Sequence, residues 1–258
     1  MTPTLEAIAR HLDTLLDIAS IPDYPNAING VQCTHRGPVK AVASAVDTSE
    51  RTIRLAAATG ANLLVVHHGL FWAGLQPLTL HHYARVRLLF EHDMALYSVH
   101  LPLDAHSRLG NSRLLADLLK LTVDSGFAYH ENTACGVQGT ADVATAELFA
   151  SVDSFSRSNG GAAIASAIAP HRRTKHWAIC SGAGAGVSTL NEASAAGIDT
   201  LIVGEGPHWT AVDAPERGLT IIYAGHYATE TLGVRAVGAN LALTFGIPHH
   251  AVDAPTGL

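Results

Sequence analysis

Leu5, Ile8, Leu12, Leu15 and Leu16 recur at helical spacing, with Glu6, Asp13 and Asp17 at intervening positions. The chain therefore opens on an amphipathic helix, and Thr2 before Pro3 fits its N-cap and first turn. Turn formers follow at Pro22, Asp23, Pro25, Asn26, Asn29 and Gly30. The pattern then predicts a strand over Val39 to Val46 that ends at Asp47, and a helix over Ser49 to Thr59 stopped by Gly60. Asn62 to Val66 is a short apolar run that delivers His67-His68-Gly69. Helical spacing resumes from His81 to His92. Ala95 to Val99 is another strand, running into His100-Leu101-Pro102-Leu103-Asp104. Strand and helix alternate, which predicts a parallel sheet covered on both faces.

The second half repeats this grammar. Strands are expected at Trp177 to Cys180, Thr200 to Val203 and Thr220 to Ala224. Helices are expected at Val187 to Ala196, His208 to Arg217 and Thr229 to Phe245. Asp124 to Arg173, rich in Gly, Ala, Ser and Asn, reads only coarsely. The fold class is α/β, with two lobes of mainly parallel sheet flanked by helices. The first spans 1–124 and the second 125–258, with an approximate boundary.

Composition narrows the options. At 258 residues and 48% hydrophobic, the chain can bury about three quarters of its unfolded surface. Charged residues make up 15% and form no block, against roughly 25% typically, so disorder is not the dominant state. The net charge of -6 gives no broad positive field, which argues against duplex nucleic acid and anionic lipid as main partners. No uncharged apolar stretch approaches the ~18 residues of a membrane span. Acids in the first helix argue against a signal or transit peptide. Cys33, Cys135 and Cys180 are odd in number and lack a C-x-x-C pair, so neither a disulfide framework nor a thiolate zinc site is indicated. A soluble, cytoplasmic protein is expected.

Histidine is unusual at 16 residues, as many as Lys and Arg together. Three predicted strand ends carry polar groups: His67 and His68, then His100 and Asp104, then His226 with Glu230. Open parallel sheets place their sites beyond such ends. Adjacent strand residues point to opposite sides, so His67 and His68 are expected to suit two ions better than one. Imidazoles with carboxylates suit Zn, Mn, Fe or Ni better than Ca or Mg. A lone histidine at a strand end is ordinarily a hydrogen-bonded structural residue, and the case rests on the clustering.

Other features have plainer readings. Ser181-Gly182-Ala183-Gly184-Ala185-Gly186 lies where a phosphate-cradling loop would, but its spacing departs from G-x-G-x-x-G and a tight strand-to-helix turn is preferred. His81, His82 and His92 read as solvated, and His249-His250 as lying in a tail. His208 opens a helix at another strand end and is a candidate for lining the site. Phe71 and Trp72 read as packing beside the ligands, with base stacking as the alternative.

The run Val66-His67-His68-Gly69-Leu70-Phe71-Trp72, then Tyr97-Ser98-Val99-His100-Leu101-Pro102-Leu103-Asp104-Ala105-His106 and Leu109-Gly110-Asn111, resembles the NIF-three-like family, also called GTP cyclohydrolase I type 2 homologues. Asn29-Gly30-Val31-Gln32, Gly204-Glu205 and Gly225-His226-Tyr227-Ala228-Thr229-Glu230 are similar to its other motifs. The resemblance covers essentially the whole chain and fits the short bacterial form. It implies interlinked lobes and a dinuclear centre of two divalent transition-metal ions held by His67, His68, Asp104, His226 and Glu230, with Glu230 bridging. It also implies a site role for His100, second-shell or catalytic, and a ring-shaped homohexamer.

Two divalent ions sharing a water favour hydrolysis of a small phosphorylated or nucleotide-like substrate. The main alternative is a non-enzymatic metal-binding scaffold or interaction protein. A nucleotide-binding oxidoreductase using the Gly-rich turn leaves the histidines unexplained.

Overall fold

Thr4 rather than Thr2 caps the first helix, its hydroxyl accepting from the Ala7 N–H at 3.2 Å. The cap falls there because Leu5, Ile8 and Leu12 are the positions that bury. The computed structural model describes residues 2–258. In chain order its elements are α1 (Leu5–Leu15), β1 (Gly30–Cys33), β2 (Val42–Asp47), α2 (Glu50–Ala58), β3 (Leu63–His68), α3 (Leu80–Glu91), β4 (Ala95–Ser98), α4 (Leu101–Asp104) and α5 (Asn111–Leu118). There follow β5 (Ser125–His130), β6 (Thr133–Ala144), α6 (Thr145–Ser158), β7 (Ile164–Ala165), β8 (Arg173–Cys180), α7 (Val187–Ala195) and β9 (Thr200–Val203). The chain closes with α8 (His208–Glu216), β10 (Thr220–Tyr223), α9 (His226–Phe245) and β11 (His249–Ala251).

Two compact units result. The first holds residues up to His106 together with Gly233–Ala254. Its sheet runs β1-β4-β3-β2-β11, parallel throughout except for β1, which pairs antiparallel with β4. Every residue of β3 and β4 is buried. A strand covered on both faces has no solvated side to alternate with, hence the unbroken apolar runs that end in His67-His68 and Ser98. Ile53, Leu64, Val66, Leu88, Leu96 and Val252 belong to one core.

The second unit holds Ser107–Leu232 with Pro255–Leu258. Its sheet runs β5-β6-β8-β9-β10-β7. Here the pairing is mixed. β8, β9 and β10 are parallel, while β5 with β6, β6 with β8, and β7 with β10 are antiparallel. The coarse stretch Asp124 to Arg173 thus contains a β5–β6 hairpin turning at Glu131 (φ 51°), and a turn that short can join only antiparallel strands. Residues 107–124, assigned to the first lobe from sequence, supply Leu115, Ala116 and Leu121 to a core with Leu148, Val152 and Trp177. Among the described residues no helix is long and apolar enough to cross a membrane.

His249 is not in a tail. It lies in β11, which pairs with β2, and its Nε2 meets Ser44 Oγ at 2.8 Å. Buried Gly238 of α9 makes room for it, since a Cβ there would overlap His249 Nε2. Alanine favours a helix interior over glycine by about 1 kcal/mol, but the overlap should cost about 1–3 kcal/mol. Gly238→Ala is therefore expected to be net destabilising in urea unfolding. In a His249→Ala background the same change should become stabilising, and no reversal of sign would refute the steric account.

Candidate metal centre

In the first unit, parallel pairing brings the ends of β2, β3 and β4 level. The pairing sets Asp47 beside His68. His67 and His68 are buried, as is His100 just beyond β4. Ring nitrogens of His67, His68 and His100 all lie within 4.8 Å of one another. The ring centroids are 4.9 Å apart for His67 and His68, 4.9 Å for His67 and His100, and 5.8 Å for His68 and His100. The two adjacent histidines therefore converge instead of diverging, because alternation governs where the side chains leave the strand and not where their rotatable rings end. Asp104, closing the one-turn α4, sets Oδ2 3.4 Å from His67 Nε2.

Each of these rings gives Nδ1 to an oxygen: His67 to the Val99 carbonyl at 2.9 Å, His68 to Asp47 Oδ1 at 2.8 Å and His100 to Asp23 Oδ1 at 2.8 Å. A carbonyl or carboxylate cannot donate, so Nδ1 carries the hydrogen and Nε2 faces the cluster. This is the arrangement that orients imidazoles for a metal. Asp23 is tied further, accepting from Tyr24 N at 2.7 Å, Asn29 Nδ2 at 2.8 Å and Leu101 N at 2.9 Å. Burial alone would raise its pKa, but His100, Asn29 and the backbone N–H outweigh it and hold the carboxyl below its usual range.

Gln32 performs the same service for the turn after His68. Its Oε1 accepts from Leu70 N at 2.7 Å and its Nε2 donates to the Ala27 and Ile28 carbonyls at 3.0 Å. A Cβ on Gly69 would overlap that amide. The Asn29 and Gln32 of the N-terminal motif are thus brackets for the histidines.

The second unit repeats the device. The β9–β10 ladder continues past its strands through Ala224 N to Val203 O (2.7 Å) and Gly225 N to Gly204 O (2.9 Å). That sets Glu205 beside His226, the first residue of α9, with Nδ1 on Oε1 at 2.7 Å. One helical turn on, Glu230 places Oε2 3.2 Å from His226 Nε2. Gly182 (φ +63°) lies against this pair, and a Cβ on it would overlap Glu230 Oε1. Gly182 thus serves close approach to the Glu230 carboxylate. At Gly184 a Cβ would strike the Cys180 carbonyl, so this position too leaves no room for a side chain.

The donors fit a divalent cation. In both His67–Asp104 and His226–Glu230 a ring held at Nδ1 turns its Nε2 toward a carboxylate oxygen, at 3.4 and 3.2 Å, a pairing that a cation or a proton between the two atoms satisfies. At His226 burial disfavours the charged ring, yet Glu230 and Glu205 at its two nitrogens raise the pKa to about 9.

Other expectations fare differently. His81 and His92 are exposed, but His82 is buried, its ring 6.4 Å from Phe71. His208 is exposed at the start of α8. Asp23, Asp47 and Glu205 join the candidate site as partners of His100, His68 and His226; Asp47 and Glu205 stand at strand ends, where an acid level with a histidine is the signal that finds them.

Residues 3–256 match the family model described as Duf34/NIF3 (NGG1p interacting factor 3). The chain belongs to the NIF3 family. A curated NIF3 relative, "GTP cyclohydrolase 1 type 2 homolog" of Deinococcus radiodurans, is 38% identical over 253 residues, covering 98% of this chain and 94% of its own. Among solved structures of the NIF3 fold, protein ybgI, described as of unknown function, superposes with TM-score 0.87 at 30% identity. TTHA1606 from Thermus thermophilus gives 0.81 at 31%. Both alignments cover 100% of each chain.

Because the His226 pKa is raised, its imidazolium stabilises the metal-free fold in full below the ordinary 6.5, and that contribution is lost as pH rises through about 9. Thermal melts in chelator across this window should show the wild type losing stability relative to His226→Gln. Parallel curves for the two proteins would remove the charge pairing from the account.

Proposed function

We propose that this NIF3-family protein is a dinuclear metal-dependent hydrolase acting on a small phosphorylated or nucleotide-like substrate. About two divalent transition-metal ions per chain (Zn, Mn, Fe or Ni) are assigned to the residues the family resemblance implies: His67, His68, Asp104, His226 and Glu230. The observation that carries the reading is the shared construction of the imidazoles, each with Nδ1 on a fixed oxygen and Nε2 turned toward other donors. A structural histidine needs one partner, whereas here, within each unit, the second nitrogen of the ring faces further metal-ligating groups: His67 Nε2 toward Asp104 and His226 Nε2 toward Glu230.

When bound, such ions supply charge and lower the pKa of a water toward neutrality. The residues of the chain do the rest. Asp47, Glu205 and the Val99 carbonyl fix three rings, and burial of His67, His68 and Glu230 keeps bulk water from competing. Asp23 holds Nδ1 of His100, so the Nε2 of that ring is assigned to hold or pass a proton at the reacting water. Coordination at His226 must displace a proton bound up to about pH 9, so metal affinity should climb through neutral pH. The family resemblance also supports a homohexamer, which light scattering tests directly, and a monomer would overturn that part.

Elemental analysis of untagged protein decides the central claim. Wild type should carry about two ions per chain, and His226→Ala and Glu230→Ala should lose most of them along with any hydrolytic turnover. No metal after reconstitution with Mn, Fe, Ni or Zn, or full retention in Glu230→Ala, would overturn the reading.

A further inference from the structure

Two large aromatic side chains stand exposed beside the histidines of the first unit. Trp72 is 38% and Tyr24 is 52% accessible. Trp72 lies 4.5 Å from the His100 ring and 5.1 Å from the His68 ring, centroid to centroid, and Tyr24 lies 6.0 Å from His100. Their own centroids are 6.3 Å apart with planes at 90°. Phe71 packs against the core of this unit, while its neighbour Trp72 turns to the histidines.

Both rings sit on braced backbone. The Tyr24 N–H donates to Asp23 Oδ1 at 2.7 Å, the same oxygen that receives His100 Nδ1, and the Tyr24 carbonyl accepts from Ala27 N at 2.9 Å. The turn carrying Trp72 closes through Gly74 N to Phe71 O at 2.7 Å, and Gly74 approaches the Asn26 side chain. One carboxylate thus sets a candidate reaction residue and an aromatic wall together. Two perpendicular rings form a corner in which a flat ring can lie face-on to one and edge-on to the other, the two geometries aromatic pairs prefer. A wall without a charged side chain recognises shape and π-surface, not phosphate.

We infer that Trp72 and Tyr24 form a stacking subsite that selects substrates carrying a planar aromatic or heteroaromatic ring and presents them to the histidine cluster. This rests on the proposed reading of that cluster as the reaction centre and names the part of the substrate bound beside it. The subsite requires no group transfer of its own. Trp72 supplies the platform and Tyr24 the flank.

The test uses full-length protein carrying 5-fluorotryptophan, whose three tryptophans (72, 177 and 209) give resolvable fluorine signals, with Trp72 assigned through Trp72→Phe. Guanosine, adenosine and p-nitrophenol serve as ring probes and ribose 5-phosphate as the ringless control, each with and without metal. At least one ring probe should shift the Trp72 signal selectively, and ribose 5-phosphate should not. Trp72→Ala should weaken that probe about 5- to 150-fold, the range for loss of one stacking partner. Trp72→Phe should restore most of the affinity, and Tyr24→Ala should weaken it less. Silence from all three ring probes, equal binding by Trp72→Ala, or an equal response to ribose 5-phosphate would overturn the inference. Metal content separates the two claims. Loss of metal from Trp72→Ala makes the ring a mere support and overturns the subsite, whereas ring binding by a wild type that takes no metal leaves the subsite standing and removes the hydrolase reading.

Discussion

The hydrogen bond from each imidazole Nδ1 to a fixed oxygen is the constraint around which both units are arranged. Supplying those oxygens demands specific backbone registers. Val99 can serve His67 because its N–H bond to the Val66 carbonyl fixes its backbone beside the end of β3. Asp47 serves His68 because β2 and β3 run parallel and level. Glu205 serves His226 because the β9–β10 ladder continues past its strands. A slip of one residue in either ladder would turn the acid to the opposite face of its strand, leaving an imidazole without its anchor.

Assembling so many polar groups out of water costs several kcal/mol per ionised group unless each is paired. The structure meets that cost locally. Asp23 accepts four hydrogen bonds, and His226 lies between two carboxylates. Close approach does the remaining work: Gly69 leaves room for the Gln32 amide and Gly182 for the Glu230 carboxylate. These glycines are conditions for the site's compactness, and Gly182 brings the Gly-rich turn into that role.

The two units solve the same problem on different sheets. The first is parallel but for one edge strand, and its donors come from β3 and the segment after β4. The second surrounds a three-stranded parallel core with antiparallel strands, and its donors come from the turn after β9 and the first turns of α9. In both, the chemistry stands beyond the carboxyl ends of parallel strands, the position that leaves backbone groups and side chains convergent. The antiparallel additions extend the sheets without supplying any of those donors.

The apolar runs before His67-His68 and His100, and the helical spacing from His81 to His92 and from Val187 to Ala196, are local properties, so the α/β class and the standing of these histidines at strand ends are legible in the chain alone, while the ligand set with Asp104, His226 and Glu230 is what the family resemblance implies. Local pattern also misled where tertiary contacts decide. Thr2 looked like a cap until the burial of Leu5 and Ile8 placed the helix start, His82 looked solvated until Phe71 covered it, and His249 looked like a tail until it joined β2. The partners of the histidines were beyond sequence for a physical reason. Asp23 meets His100 across 77 positions, Asp47 meets His68 across 21 and Glu205 meets His226 across 21. Such pairs have no spacing rule, because strand register brings them together. The sequence by itself determined which side chains can donate to a metal, through their residue types and their places after apolar runs. Only the tertiary structure decided which ring nitrogen each presents, because that choice belongs to the oxygen on the other side of the ring.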